Sequence, residues 1–321
     1  MIKAMLLHLG TNMWAKKGAE AGEDRKFFAR SSYSESLVTE KEEWIKITNS
    51  LAEFGFNTLL IDMGEGVQLK SHPELAIEGS WTQEEFKEEL ARLRSIGLTP
   101  IPKFNFSCGH SAWLKDYAYM VGTETYNKVC RDVVEETIEL FDTPEFFHLG
   151  LEEEEYGSQK RQPVAITRAP YKKREDALFL FDVCMKKGVR PWIWIDLNTL
   201  EAFGGEEVFR KTMPKELVIS NWYYGFESPN KIAKGEESPR FKLYERINSW
   251  GFDQIPTSST WSSNLNTKAT MQYCKERASD SVIGYMTAPW FFTTERQHYA
   301  LMNDMACFSY AWDDVYGGEE K

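Results

Sequence analysis

The feature that most constrains the fold is a repeated order of apolar strand and amphipathic helix along the whole chain. Eight such pairs can be marked, and short joins containing Gly or Pro lead from each helix to the next strand. Strict alternation of strand and helix requires parallel strands, and eight of them favour a closed barrel over an open sheet. We therefore predict an α/β fold, a single (β/α)8 TIM barrel with long βα loops. The predicted strands are residues 3–10, 58–63, 99–106, 146–153, 190–196, 217–224, 254–260 and 281–290.

The chain length is compatible with one domain. A barrel of about 250 residues with insertions accounts for the 321 residues, so we assign residues 1–321 to one barrel. The longest insertions, at about residues 11–41 and 154–173, are expected to be βα loops. No GxGxxG motif follows the first strand, which argues against a dinucleotide-binding fold.

Charge and cysteine content exclude several classes of partner. A net charge of −11 and a pI near 5.2 argue against binding to nucleic acid or to an anionic membrane. No apolar run reaches about 20 residues, so no membrane span is expected. The five cysteines lack metal-ligand spacing and are expected to be free thiols, and we expect neither metal nor organic cofactor.

The opening residues do not resemble a signal peptide, so the chain as given is expected in the cytoplasm, or outside it if a signal was removed. The oligomeric state stays open.

Polar and aromatic side chains cluster at the predicted strand ends, where barrels of this kind place their chemistry. Neither a GxSxG motif nor a phosphate-binding loop is among them. The candidate residues are Asp62, Asn105, His110, Glu152, Glu153, Trp194, Asp196, Trp222, Tyr223, Tyr224, Trp261, Trp290 and Glu295.

Four consecutive glutamates follow the apolar run of the fourth strand. Enclosed carboxylates that repel one another favour protonation of one of them, and cleavage of a glycosidic bond needs such an acid. Tryptophan faces pack against the C–H faces of sugar rings. The combination predicts a glycoside hydrolase with an oligosaccharide or glycoside substrate. Glu154 and Glu155 are expected to be loop residues, solvated or touching the outer part of the substrate.

The order of several motifs points to a known family. The chain carries HPEL, a WTQEE helix start, TPIPKFNF, CGHS and FFHLGLEE between about residues 58 and 155. This order resembles that of the family 20 glycoside hydrolases, the β-N-acetylhexosaminidases, which have HPEL, a Tyr-Thr helix start, PEID, PGHS and HIGGDE. The resemblance implies a TIM-barrel enzyme in which the 2-acetamido oxygen of the substrate attacks the anomeric carbon, with net retention.

The resemblance also implies residue roles. Glu153 corresponds to the acid/base, Glu152 to the aspartate that orients the acetamide, and His110 to the histidine near the acid. Asn105 falls on the PEID aspartate and Asp62 on an aspartate of the second strand. Trp290 and Glu295 resemble the Trp and acidic pair of the last strand, and Tyr223 or Tyr224 is expected to hydrogen-bond the acetamide.

The chain departs from the family pattern at three places. Glu152 is one methylene longer than Asp, Asn105 replaces an Asp, and the first strand lacks the expected Arg. The main hypothesis is an exo-acting retaining hydrolase of a 2-acetamido sugar. One alternative is a catalytically silent carbohydrate-binding barrel. The other is a metal-dependent sugar isomerase or lyase that uses Glu152, Asp196 and His110.

Overall fold

The chain forms a parallel β-barrel surrounded by helices, in a computed structural model that describes residues 1–19, 33–160 and 162–317. The strands are β1 Ile2–His8, β2 Thr58–Asp62, β3 Thr99–Lys103, β4 Phe146–His148, β5 Arg190–Ile195, β6 Val218–Asn221, β7 Asp253–Gln254, β8 Thr257–Ser258 and β9 Gly284–Thr287. The helices are α1 Lys41–Glu53, α2 Gln83–Ser95, α3 Glu124–Leu140, α4 Tyr156–Gln159, α5 Pro170–Lys186, α6 Leu197–Ala202, α7 Glu206–Thr212, α8 Pro229–Lys234, α9 Pro239–Trp250, α10 Asn266–Arg277 and α11 His298–Tyr316.

The seventh strand of the barrel is divided, and its two halves close the sheet. The strand order is β7-β6-β5-β4-β3-β2-β1-β9-β8, so β7 and β8 occupy the two edges. They are adjacent in sequence and flank Pro256, which has no N–H to donate to a ladder. Its carbonyl still accepts the N–H of Met286 at 3.0 Å. Together β7 and β8 form one interrupted strand, which confirms the predicted (β/α)8 barrel.

The helix boundaries follow local signals in the sequence. Thr82 caps α2: its hydroxyl accepts the N–H of Glu85 at 3.2 Å, and the Glu85 carboxylate accepts the N–H of Thr82 at 2.9 Å. This capping box is confirmed. The short helices α4, α6 and α8 were not predicted, because each is a brief insertion in a βα connection. Within the described part of the chain, no helix is both long and apolar enough to cross a bilayer.

The upper layer of the barrel interior is polar, and strand register explains why. Side chains alternate along a strand, so the residues two positions after Leu6, Leu60 and Ile101 also face inward. These are His8, Asp62 and Lys103, which are successive register partners, and His148 on β4 pairs next to Lys103. All four are buried. The carboxyl ends of the strands thus bring charged and imidazole side chains to the mouth of the barrel.

Candidate functional site

A pocket of about 160 Å³ opens at the mouth of the barrel, where the carboxyl ends of the strands meet. Two carboxylates and an imidazole share its wall with aromatic side chains. The lining residues are Met13, Trp14, His110, Glu152, Glu153, Trp194, Trp222, Tyr224, Trp261 and Trp290.

The chain after β4 turns sharply, and this turn sends two neighbouring carboxylates to the same pocket. The predicted strand over residues 146–153 was too long, because β4 ends at His148. Gly150, Leu151 and Glu153 have φ values of +72°, +76° and +50°. Such values are uncommon for residues other than glycine, and they occur where the surrounding structure enforces them. Without this turn, side chains of consecutive residues would point to opposite faces of the strand.

The loop after β3 holds the turn in place. The hydroxyl of Ser107 donates to the carbonyl of Glu152, and the N–H of Cys108 donates to Glu154 Oε1 at 3.3 Å. The next residue, Gly109, packs so closely against the turn that a Cβ there would be 2.3 Å from the carbonyl oxygen of Glu153. The close approach of the two backbones therefore requires glycine at position 109.

His110 lies between the two carboxylates of the pocket. Its Nδ1 is 3.2 Å from Glu152 Oε1, and its Nε2 is 3.3 Å from Glu153 Oε2. The Glu152 side chain is 5% exposed and the Glu153 side chain 39%, so Glu153 is the carboxylate more open to a ligand. Asn105 Nδ2 donates to Glu152 Oε1 at 2.7 Å.

The charge on His110 is controlled by these neighbours. Burial alone would lower the pKa of His110, but its contacts with Glu152 and Glu153 raise that pKa to about 9. The residue is therefore an imidazolium at neutral pH, and each of its ring nitrogens lies within ion-pair distance of one carboxylate. It fixes the position of both carboxylates and balances part of their charge.

Glu154 belongs to a buried ionic cluster, contrary to its expected exposure as a loop residue. Its carboxylate accepts Arg168 Nε at 3.1 Å, and a second guanidinium nitrogen also contacts it. Arg168 further donates to Asp176 at 3.2 Å and to the carbonyl of Phe106 at 3.2 Å. Burial alone would raise the pKa of Glu154, but Arg168 and Lys173 lower it. Arg168 thus joins Glu154, the residue after Glu153, to Phe106 in the loop after β3. The cluster therefore holds the backbone next to Glu153 against the neighbouring loop.

The pocket wall contains buried polar groups that no described residue satisfies. The indole N–H groups of Trp194 and Trp222, and Oε2 of Glu152, have no hydrogen-bond partner among the described residues. By contrast, Trp192, two residues earlier on β5, donates its indole N–H to the hydroxyl of Ser220 at 2.8 Å. Buried polar atoms are usually paired. The two indoles and the carboxylate oxygen therefore mark positions for a ligand that both accepts and donates hydrogen bonds.

Five candidate residues lie outside the pocket lining. Asp62 contacts Lys103 Nζ at 2.6 Å and His8 Nδ1 at 3.1 Å beneath the pocket. Burial alone would raise the pKa of Asp62, but Lys103 and His8 lower it to about 2.

Three of the other four have side chains engaged by other residues, and the fourth, Glu295, is exposed. Asn105 supports Glu152 from behind, and Asp196 caps α6 by accepting the N–H of Thr199 at 2.8 Å. The hydroxyl of Tyr223 donates to Glu227 at 2.9 Å. Glu295 is exposed, and its N–H donates to Glu40 at 2.8 Å.

Two pocket residues, Met13 and Trp14, were missed by sequence reasoning. They come from the insertion after β1, part of which lies outside the described residues. The Trp14 ring stacks on Phe292 at 6.0 Å and meets His110 edge-on at 6.3 Å. A lone Trp in an otherwise polar insertion was the available signal.

The structure offers no set of metal ligands in the part of the chain that it describes. No group of three His, Cys, Asp or Glu side chains there could hold a metal ion. The metal-dependent isomerase or lyase alternative would use Asp196 with Glu152 and His110. Asp196 Oδ1, however, also accepts the hydroxyl of Thr199 at 2.7 Å. The five cysteines are free thiols. Burial raises the pKa of Cys108 to about 11, so this residue is a poor nucleophile.

We expect Arg168→Met to destabilise the protein by about 3–5 kcal/mol, because it removes the buried guanidinium that bridges Glu154 and Asp176 and leaves only lysine ammonium groups beside them. The control is Lys186→Met, which removes the same charge from an exposed pair with Asp182 and should cost less than about 1 kcal/mol. Urea unfolding measures both variants. Equal losses would contradict the assignment of the cluster as a structural clamp.

We also expect the contribution of His110 to stability to depend on pH. Its pKa in the folded protein is about 9, above the usual 6.5. The stabilisation is therefore complete below about pH 6.5 and is lost as the pH rises through about 9. The difference in Tm between the wild type and His110→Asn should be large at pH 6 and small at pH 9.5. A difference that does not change with pH would contradict an imidazolium between the carboxylates.

Among the comparisons with known proteins, the one with solved structures supports the fold. No protein-family model and no curated protein matches the sequence. Among solved structures, an exo-β-N-acetylglucosaminidase of family 20 from Vibrio harveyi, in complex with N-acetylglucosamine, matches 97% of this chain and 54% of its own, at 16% identity and a TM-score of 0.65. The β-N-acetylhexosaminidase from Bacteroides fragilis matches 95% of this chain and 65% of its own, at 14% identity and a TM-score of 0.60.

A mutant Streptomyces plicatus β-hexosaminidase in complex with its product matches 96% of this chain and 63% of its own, at 12% identity and a TM-score of 0.63. The chain thus spans between about half and two thirds of the length of these three proteins. At this identity the likeness concerns the fold. The chain has, in divergent form, the (β/α)8 barrel of the family 20 β-N-acetylhexosaminidases.

Proposed function

We propose that the protein is an exo-acting, retaining glycoside hydrolase of a 2-acetamido sugar, and that Glu153 is its general acid/base. The single observation that carries the proposal is the arrangement of Glu152, His110 and Glu153 at the end of β4. In this arrangement His110 lies between the accessible carboxylate of Glu153 and the buried carboxylate of Glu152, in a pocket lined by aromatic rings.

In the first step, Glu153 donates its proton to the glycosidic oxygen while the acetamido oxygen attacks the anomeric carbon. The bond to the leaving group breaks, and the sugar remains as an oxazolinium ion. In the second step, Glu153 takes a proton from water, which attacks the same carbon and restores the acetamide. The two attacks reach the anomeric carbon from opposite faces, so two successive inversions leave its configuration unchanged.

Glu152 is the partner for the acetamide in this proposal. Its Oε1 is occupied by Asn105, whereas Oε2 has no partner among the described residues. An acetamide N–H would satisfy Oε2, and its carboxylate charge would stabilise the positive oxazolinium ion. The additional methylene of Glu152, compared with Asp, is compatible with both contacts at once.

The pocket wall supports a sugar as the ligand. Trp194, Trp222 and Trp290 present ring surface, and the first two also direct unpaired indole N–H groups at acceptors such as hydroxyls. Two of the structurally similar proteins have been solved in complex with N-acetylglucosamine. A sugar bearing a 2-acetamido group is therefore the substrate class to test first.

We expect Glu153→Gln to keep the fold and to lower kcat by about 10²- to 10⁴-fold, because the glutamine amide cannot supply a proton. Glu155→Gln is the matched control, since Glu155 is an exposed neighbour whose carboxylate accepts the hydroxyl of Ser158 at 3.1 Å. Steady-state hydrolysis of a nitrophenyl 2-acetamido glycoside measures both variants. Near-normal turnover by Glu153→Gln would remove Glu153 from the role of acid.

The role of the substrate acetamide predicts a preference that can be measured separately. Nitrophenyl glycosides with a 2-acetamido group should be hydrolysed, whereas their 2-hydroxy counterparts should not, because the latter lack the internal nucleophile. A thiazoline analogue of the oxazolinium ion should inhibit competitively. Equal rates on both substrates, or no inhibition by the thiazoline, would contradict substrate assistance.

A carbohydrate-binding barrel without turnover is the second candidate. The observation in its favour is that His110, as an imidazolium, lies 3.3 Å from Glu153 Oε2 and so places a positive charge beside the proposed acid. This candidate predicts that N-acetylglucosamine binds in calorimetry while no glycoside is hydrolysed. Any robust hydrolysis that Glu153→Gln abolishes would eliminate it.

A further inference from the structure

A second cavity, of about 310 Å³, lies beside the aromatic pocket and takes no part in the proposed hydrolysis. Three lysines line it, together with two tyrosines, one alanine and one aspartate. The lining residues are Lys16, Lys17, Tyr33, Ala112, Lys115, Asp116 and Tyr119. The cationic lining distinguishes it from the first pocket, where the charged groups are carboxylates and an imidazolium.

Lys16 is the unusual member of this lining. The residue is 4% exposed, and its ammonium has no hydrogen-bond partner among the described residues. Its neighbour is the ring of Tyr119, with Nζ 4.4 Å from the ring centroid. A buried charge without a partner is costly, so the position calls for an anion or for polar groups that the protein does not provide.

The other charged groups near this cavity are already engaged or exposed. Lys17 is 78% exposed and pairs with Glu35 at 2.8 Å. Lys115 donates to the carbonyls of Glu74 and Ala76. Asp116 is exposed and forms no ion pair with Lys16 within 4.0 Å in the described structure. Lys16 is therefore the cation in this lining that is still available to a ligand.

The two cavities share a wall. Met13 and Trp14 line the aromatic pocket, whereas Lys16, two residues further on, lines the second cavity. On the opposite segment, His110 lines the first and Ala112 the second, and the N–H of Ala112 donates to the carbonyl of Met13 at 3.3 Å. Gln162 holds the wall by accepting the N–H of Lys16 at 3.0 Å and donating to the carbonyl of Trp14.

We infer that the second cavity is an oxyanion-binding subsite, in which Lys16 receives a carboxylate, sulfate or phosphate group next to the aromatic pocket. The oxyanion supplies the acceptors that the buried ammonium lacks, and Tyr33 and Tyr119 offer phenol groups at the same cavity. The oxyanion comes either from a free ion or from an acidic group on a saccharide that also occupies the aromatic pocket.

Titration of the full chain with inorganic sulfate at constant ionic strength tests the subsite directly. Wild type should show saturable binding in calorimetry, and Lys16→Met should weaken it at least tenfold. Lys186→Met is the control, because it removes the same charge from an exposed pair with Asp182 outside this cavity. Absence of saturable binding in the wild type, or equal binding by Lys16→Met and wild type, would overturn the proposal. Glucose 6-sulfate and glucuronic acid, compared with glucose, then distinguish an acidic saccharide from a free ion as the natural ligand.

The binding measurement does not require hydrolysis, so it succeeds or fails independently of the proposed function. If hydrolysis is found, the substrate preference rests on both proposals. A 2-acetamido glycoside with an acidic leaving sugar should then have a lower KM than its neutral counterpart. Lys16→Met should remove this difference without changing kcat on the neutral substrate, whereas a variant that failed to fold would lose both activities.

Discussion

The site depends on one local constraint, the left-handed backbone between Gly150 and Glu153. Ordinary strand geometry would send the side chains of Glu152 and Glu153 to opposite faces. Positive φ angles at three of four consecutive residues reverse that relation and bring both carboxylates to one imidazole. Non-glycine residues hold such angles when neighbouring structure enforces them. Here the enforcement comes from the β3 loop through Ser107, Cys108 and Gly109, and from Arg168 through Glu154.

The charges around the turn are arranged so that each has a defined role. His148 lies beneath it and is neutral, because burial lowers its pKa and the ammonium of Lys103 lowers it further. Its Nδ1 accepts the N–H of Gly150 at 3.1 Å, which anchors the start of the turn. The Lys103 charge is in turn balanced by Asp62 at 2.6 Å. The two histidines near the turn thus differ in charge state: His148, beside a cation, accepts a hydrogen bond, whereas His110 carries a positive charge and lies within ion-pair distance of two carboxylates.

The sequence was sufficient to predict the barrel because hydrophobic periodicity and strand–helix alternation are repeated many times along the chain. The same information placed His110, Glu152, Glu153, Trp194, Trp222, Tyr224, Trp261 and Trp290 at strand ends, and the structure brings these residues to one pocket. Whether they bind a ligand stays a prediction. The sequence could not give the role of Asp196 or Glu154, because capping and burial depend on contacts with Thr199 and Arg168 that form only in the folded chain. Trp14 was missed because the path of a long insertion is not set by periodicity.

Two of the departures from the family pattern are complementary. The family has aspartate where this chain has Asn105 and Glu152. In this structure Asn105 Nδ2 donates to Glu152 Oε1 at 2.7 Å, and both residues are buried. An aspartate at position 105 would place a second carboxylate against Glu152 in the same buried space, with no donor between them, so one of the two would be driven to its protonated form. The amide removes that repulsion, and the longer side chain of Glu152 allows its carboxylate to reach both Asn105 and His110. Asparagine at position 105 therefore places a hydrogen-bond donor, instead of a second carboxylate, against the Glu152 carboxylate at the pocket wall.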